Sequence, residues 1–110
     1  MAIVAIILFA LTAMGGVYLL TYVLEEKNTP KGIAIIHGVA GSLAIISLLI
    51  AAFFYHVLFY ILIIFIAAAI GGGILLFFDL SGKKIPKFLA IGHGVLAITG
   101  FIILAVVIFH

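Results

Sequence analysis

Cysteine is absent from the 110 residues, and charge is scarce: five lysines and three acids make up 7% of the chain. Without a thiolate, the chain alone builds no disulfide, no thiolate zinc site and no iron–sulfur cluster. So few charges beside 69% hydrophobic residues exclude a water-soluble domain and leave an integral membrane protein. A net charge of +2 is too small to suggest nucleic acid as a partner. Linkers and low-complexity segments are missing, so 1–110 reads as a single transmembrane domain. Polar side chains inside the apolar runs are few. Apart from histidines, Thr12, Ser42, Ser47 and Thr99 are nearly all of them, which argues against a path for a polar substrate. The first run lacks the basic leader of a signal peptide, so it is expected to remain as a span.

What the chain does have is long apolar runs. A helix needs about 20 such residues to cross the hydrocarbon layer. Ile3 to Leu24 supplies one span, Ile33 to Phe78 supplies two, and Phe88 to Phe109 supplies a fourth. The tight turn between the middle pair falls near Phe54–His56. All five lysines sit in two short segments, Lys27 and Lys31 in one, Lys83, Lys84 and Lys87 in the other. Four spans put both segments on one side, and cationic loops favour the cytoplasm. The expected location is a bacterial inner membrane, with lysine loops cytoplasmic and both termini outside. Pro30 and Pro86 mark the starts of the second and fourth helices, with Asn28 or Thr29 as a candidate cap.

The chain also matches itself. Shifted by 56 positions, repeat 1 (1–54) aligns on repeat 2 (57–110) without a gap, and about 19 of 54 pairs are identical. Ala13, Gly15, Gly16, Leu19 and Leu20 fall on Ala69, Gly71, Gly72, Leu75 and Leu76. Pro30, Lys31, Ala34, Ile35, His37, Gly38 and Val39 fall on Pro86, Lys87, Ala90, Ile91, His93, Gly94 and Val95. Each repeat holds two helices, so both copies point the same way. The expected fold is an all-α four-helix transmembrane bundle with a pseudo-twofold axis along the membrane normal.

Duplication places His37 and His93 at matching depth, seven residues past Pro30 and Pro86, or about 10 Å along each helix. An ionisable side chain inside a span is a functional candidate by default. Three before and four after on the same helix face stand Ala34 and Gly41 around His37, and Ala90 and Ala97 around His93. Gly38 and Gly94 follow directly, while Gly15, Gly16, Gly71 and Gly72 lie at similar depth on the other helices. A slot walled by small residues, with a histidine on each side, suits a haem b whose iron takes His37 and His93 as ligands. Lys31 and Lys87 are the lysines best placed for its propionates. Small residues also let bare helices approach closely, with histidines hydrogen-bonding between them. Both explanations stay open on sequence alone.

His56 and His110 lie at the opposite membrane edge and are candidates for a second haem or a metal ion, against a solvated interfacial role. Tyr18, Tyr22, Tyr55 and Tyr60 read as interface aromatics, with quinone contact as a lesser alternative. Glu25 and Glu26 read as a solvated helix exit. Asp79, whose repeat mate is Val23, reads as a helix-end carboxylate reaching water. Ser42 and Thr99 are expected to bond back to helix carbonyls.

Four spans, with His37-Gly38 and His93-Gly94 on alternate helices, resemble the small membrane b-type cytochromes, in particular the four-helix core of cytochrome b561-like proteins. The resemblance implies bis-histidine haems shared by alternate helices and electron transfer with a quinone or redox-protein partner. On this reading the chain is an electron carrier rather than a bond-making enzyme, free or within a larger membrane complex or homo-oligomer. The alternative is a cofactor-free four-helix membrane subunit or a small proton-linked transporter.

Overall fold

Each apolar run becomes a helix because in hydrocarbon a backbone must satisfy its N–H and C=O groups internally. The structure, a computed structural model, describes residues 1–110. It contains α1 (Ala2–Leu24), α2 (Lys31–Ala52), α3 (Leu58–Leu80) and α4 (Lys87–Phe109). Each has 22 or 23 residues. At about 1.5 Å per residue this exceeds the roughly 30 Å of hydrocarbon to be crossed. All four are long and apolar enough to span a membrane, and together they form a four-helix transmembrane bundle measuring 41 × 22 × 19 Å. Only 18 of the 110 residues are buried. The outward faces, such as Ile7, Leu11 and Met14 on α1 or Ile63 and Ile70 on α3, are therefore left for lipid.

The helices form a ring in chain order. α1 packs on α2 and α4, and α3 packs on α4 and α2. Neighbours are antiparallel, so the diagonal partners α1 and α3 run the same way, as do α2 and α4. This is the arrangement two tandem hairpins require for a twofold axis along the bundle. Repeat mates meet across that axis: Phe9 stacks on Phe65 with ring centroids 3.9 Å apart, and His37 faces His93.

The repeat extends to the helix ends. α1 and α3 both end in a left-handed residue, Glu26 (φ 56) and its mate Gly82 (φ 72). The Lys27 N–H donates to the Tyr22 carbonyl at 2.9 Å, and the Lys83 N–H donates to Phe78 at 3.0 Å. These are Schellman closures, which settle carbonyls the helix leaves unpaired. Pro30 and Pro86 each stand immediately before a helix, extended, with carbonyls accepting from Ala34 and Ala90. No side chain caps α2. Thr29, expected as a candidate cap, instead donates its hydroxyl to Asp79.

The two ends of the bundle differ inside. Near the α2–α3 turn it is filled: Leu48, Leu58 and Leu104 are fully enclosed, together with Ala5, Ala51, Ala52, Ile61 and Leu62. Alanines on α2 let α3 approach. Gly100 does the same on α4, where a Cβ would come within 3.1 Å of the Phe65 ring. The Phe9–Phe65 stack is the last bulky layer. Towards the lysine loops the interior is lined by Gly, Ala, His and aliphatic side chains and stays open.

Candidate functional site

Below the phenylalanine stack lies a cavity of about 870 Å³, lined from all four helices. That volume falls within the roughly 300–1,000 Å³ of sites that hold drug-sized ligands. His37 and His93 are on its wall. Their ring centroids are 6.2 Å apart, with planes at 86°. Two imidazoles bound to opposite sides of one metal have centres about 6 Å apart, for metal–nitrogen bonds of about 2.0–2.1 Å. The observed gap is wide enough for one metal ion between the rings and longer than a direct ring–ring hydrogen bond needs; it is also that of an edge-to-face contact between two rings.

The backbone fixes both rings. His37 Nδ1 lies 2.8 Å from the Thr12 carbonyl, and His93 Nδ1 lies 2.7 Å from the carbonyl of Ala68, the repeat mate of Thr12. A carbonyl only accepts, so each Nδ1 carries a proton and donates. In the neutral ring this leaves the lone pair on Nε2, for which no protein hydrogen-bond partner is found. Metal-binding histidines use the same device, with the second nitrogen donating to a carbonyl or carboxylate that sets tautomer and orientation.

The glycines divide into two kinds. A Cβ on Gly16 would sit 2.9 Å from His37 Cε1, and one on Gly72 would sit 2.8 Å from His93 Cε1. Gly15 and Gly71 lie behind the same rings, with the nearest histidine atoms 3.7 and 3.8 Å from a built Cβ. These four were expected to shape a slot directly. Gly16 and Gly72 do reach the cavity, but all four chiefly give the imidazoles room to lie against the neighbouring helix of the same repeat, and Gly15 and Gly71 do not line the cavity at all. Gly38 and Gly94 differ: both line the cavity, and a Cβ on either would meet nothing within 4 Å. Gly41 also lines it, held against the Thr12 methyl at 3.3 Å from a built Cβ.

At the lysine-loop end the sequence expectations need correction. Asp79 does not reach water; it is 7% exposed. It accepts from the Thr29 hydroxyl at 2.6 Å and from the Lys31 ammonium. Lys31, expected to be placed for propionates, is engaged by an acid of the other repeat. Lys87 lies 3.8 Å from Glu26, which also pairs with Lys84 at 2.7 Å. Glu26 is exposed, as expected, but bridges the two loops. The Lys84 hydrogen bond holds its carboxyl below the ordinary range and raises the Lys84 ammonium.

His56, His110 and the four tyrosines lie apart from the cavity, whereas Ser42 and Thr99 are on its wall. His56 and His110 are exposed at the turn end, where the filled core leaves no slot between helices. No cluster of three or more His, Asp or Glu side chains is present. Tyr18 and Tyr22 share a 2.9 Å hydroxyl contact on the exposed face of α1, and Tyr55 and Tyr60 are exposed. Ser42 and Thr99 bond back to Gly38 and Val95, both at 2.8 Å. Sequence reasoning missed Phe9 and Phe65 as the cavity floor, although their identity in the repeat was a usable signal. It also missed the Thr12 and Ala68 carbonyls, which no side-chain pattern announces.

Comparison with protein-family models, with curated proteins and with solved structures finds no match. The site's own chemistry therefore carries the functional argument.

Proposed function

We propose that this chain is a haem b electron-transfer protein of the membrane, of the small b-type cytochrome kind with a cytochrome b561-like plan. The observation that carries the reading is the pair His37 and His93: oriented by backbone carbonyls, facing across the bundle at 6.2 Å, on the wall of an 870 Å³ cavity. His37 and His93 would be the axial ligands. Gly38, Gly94 and Gly41 leave room beside them, and Gly15, Gly16, Gly71 and Gly72 seat the imidazoles. When bound, the haem supplies a one-electron iron couple whose potential depends on its axial ligands and surroundings. The chain's own work is to hold two imidazoles rigidly, to close the inner end of the cavity with the Phe9–Phe65 floor, and to present cations at the other end. One haem fits this reading; the cavity gives no support for a second at His56 and His110.

The lysine-bearing end is assigned to the cytoplasm of a bacterial inner membrane on the excess of cations in its loops. A quinone or a redox protein would exchange the electron, in a larger complex or with the chain alone. The alternative, a cofactor-free or proton-linked bundle, draws on the enclosed Asp79 in the cavity wall.

The visible spectrum decides between them. Protein purified in detergent should be red, with a sharp Soret band and a reduced α band. His37→Ala and His93→Ala should each lose most of the bound haem, because one of two axial bonds is gone. Full haem content in both variants excludes these ligands, and a colourless wild type that takes up no added haemin favours the alternative.

A further inference from the structure

The cavity has one charged end. Its floor is the Phe9–Phe65 stack, and its side walls are Gly, Ala and aliphatic residues with the two histidines and the hydroxyls of Thr12, Ser42 and Thr99, which bond back to their own helices. Thr29 and Asp79 line it towards the loops, and Lys31 reaches the same carboxylate. A flat ligand carrying carboxylates would place one of them here, since a buried charge needs a partner. Yet the lysine that should receive such a group is already held by Asp79.

The repeat shows how unusual this acid is. Lys31 and Lys87 are mates, but the mates of Asp79 and Thr29 are Val23 and Ile85, an apolar pair that also lines the cavity. Near Lys87, the acid within reach is Glu26, on a loop and at 3.8 Å. On the Lys87 side the cavity wall thus carries no acid. Asp79 is 8% exposed in its side chain, whereas the Lys31 side chain is 46% exposed. The carboxylate is enclosed, while the ammonium it holds is carried on a flexible, half-exposed stem.

We infer that Asp79 is a place-holder for a ligand carboxylate: it keeps Lys31 and the Thr29 hydroxyl at the cavity mouth until a carboxylate of the bound tetrapyrrole takes them over. The inference rests on the haem reading for the identity of the ligand. It makes Asp79 a competitor of the cofactor and a clamp on the empty bundle, tying α2 to α3. The two roles have opposite consequences. Removing the charge loosens the empty protein but frees Lys31 and removes a like charge beside the incoming carboxylate.

The test uses the full chain in detergent, with haem loss followed by transfer to excess apomyoglobin. Asp79→Asn, which keeps a hydrogen-bond acceptor for Thr29, should release haem more slowly, on the order of tenfold. The same variant without haem should melt at a lower temperature than wild type. Lys31→Met should speed haem loss, and in the double variant the gain from Asp79→Asn should vanish. Unchanged or faster loss from Asp79→Asn overturns the inference, since a residue that only props the fold would weaken both states. Wild-type kinetics in Lys31→Met overturn it equally, even if Asp79→Asn fails to accumulate. Wild type that binds no haem at all fails the haem reading itself, a result plainly distinct from these.

Discussion

At the scale of single residues, the glycines make the sharpest statement. Gly16→Ala and Gly72→Ala place a methyl within 2.9 and 2.8 Å of an imidazole carbon, and such overpacking costs about 1–3 kcal/mol. The ring must move, so its bond to the Thr12 or Ala68 carbonyl and its retention of haem should suffer together. Gly38→Ala meets open space, and an alanine in a helix gains about 0.5–1 kcal/mol over glycine. Melting temperatures of these variants in detergent should fall and rise respectively; a rise in all three would show that the rings are not seated as described. Glu26 gives the pH counterpart. Its folded pKa is depressed by Lys84, so its contribution is complete above the unfolded carboxyl value of about 4.3 and fades as pH falls through the lower folded value. The wild type should therefore lose its advantage over Glu26→Gln in acid, measured as the difference between their melting temperatures. A constant difference from pH 7 to pH 3 would contradict the bridge.

At the scale of elements, α1 and α3 differ from α2 and α4 in what they give the interior. The first pair supplies the phenylalanine floor and the carbonyls; the second supplies the imidazoles. Phe65→Ala removes the floor and opens roughly 100 Å³, which at about 24 cal/mol per Å³ costs about 2 kcal/mol. The cost in lipid should stay near this void contribution, because an unfolded helix is already in an apolar solvent. Denaturation in mixed micelles measures it, and Phe9→Ala should match Phe65→Ala because the two rings share one contact. Helix number, order and approximate ends were legible in the chain, since apolar length and Pro30, Pro86 and the lysines mark them directly. The Asp79–Thr29–Lys31 cluster was not. Its acid lies 50 and 48 positions from the other two members, and a carboxylate near a helix end looks solvated until the neighbouring helix covers it.

For the whole molecule, the repeat and the lysine loops predict both symmetry and sidedness. Because the chain has no cysteine, single introduced thiols report topology cleanly. In intact bacteria, a membrane-impermeant maleimide should label Tyr55→Cys and should label Lys84→Cys only after the membrane is opened. The reverse pattern would place the lysine loops outside. The pseudo-twofold also explains why the two histidines meet at all. Equivalent positions in parallel repeats are carried to opposite sides of a shared axis, so a residue facing that axis finds its own mate.

Sequence by itself determined the solvent, the four spans, the duplication and the matching depth of His37 and His93, because these depend on apolar length and on spacing along one chain. Tertiary structure alone decided the 6.2 Å separation of the rings, the filled end and the open end of the bundle, and the capture of Lys31 by Asp79. These follow from which helix faces touch, and in a membrane that choice rests on close fit between side chains and on pairing of the few polar groups, neither of which composition or periodicity encodes.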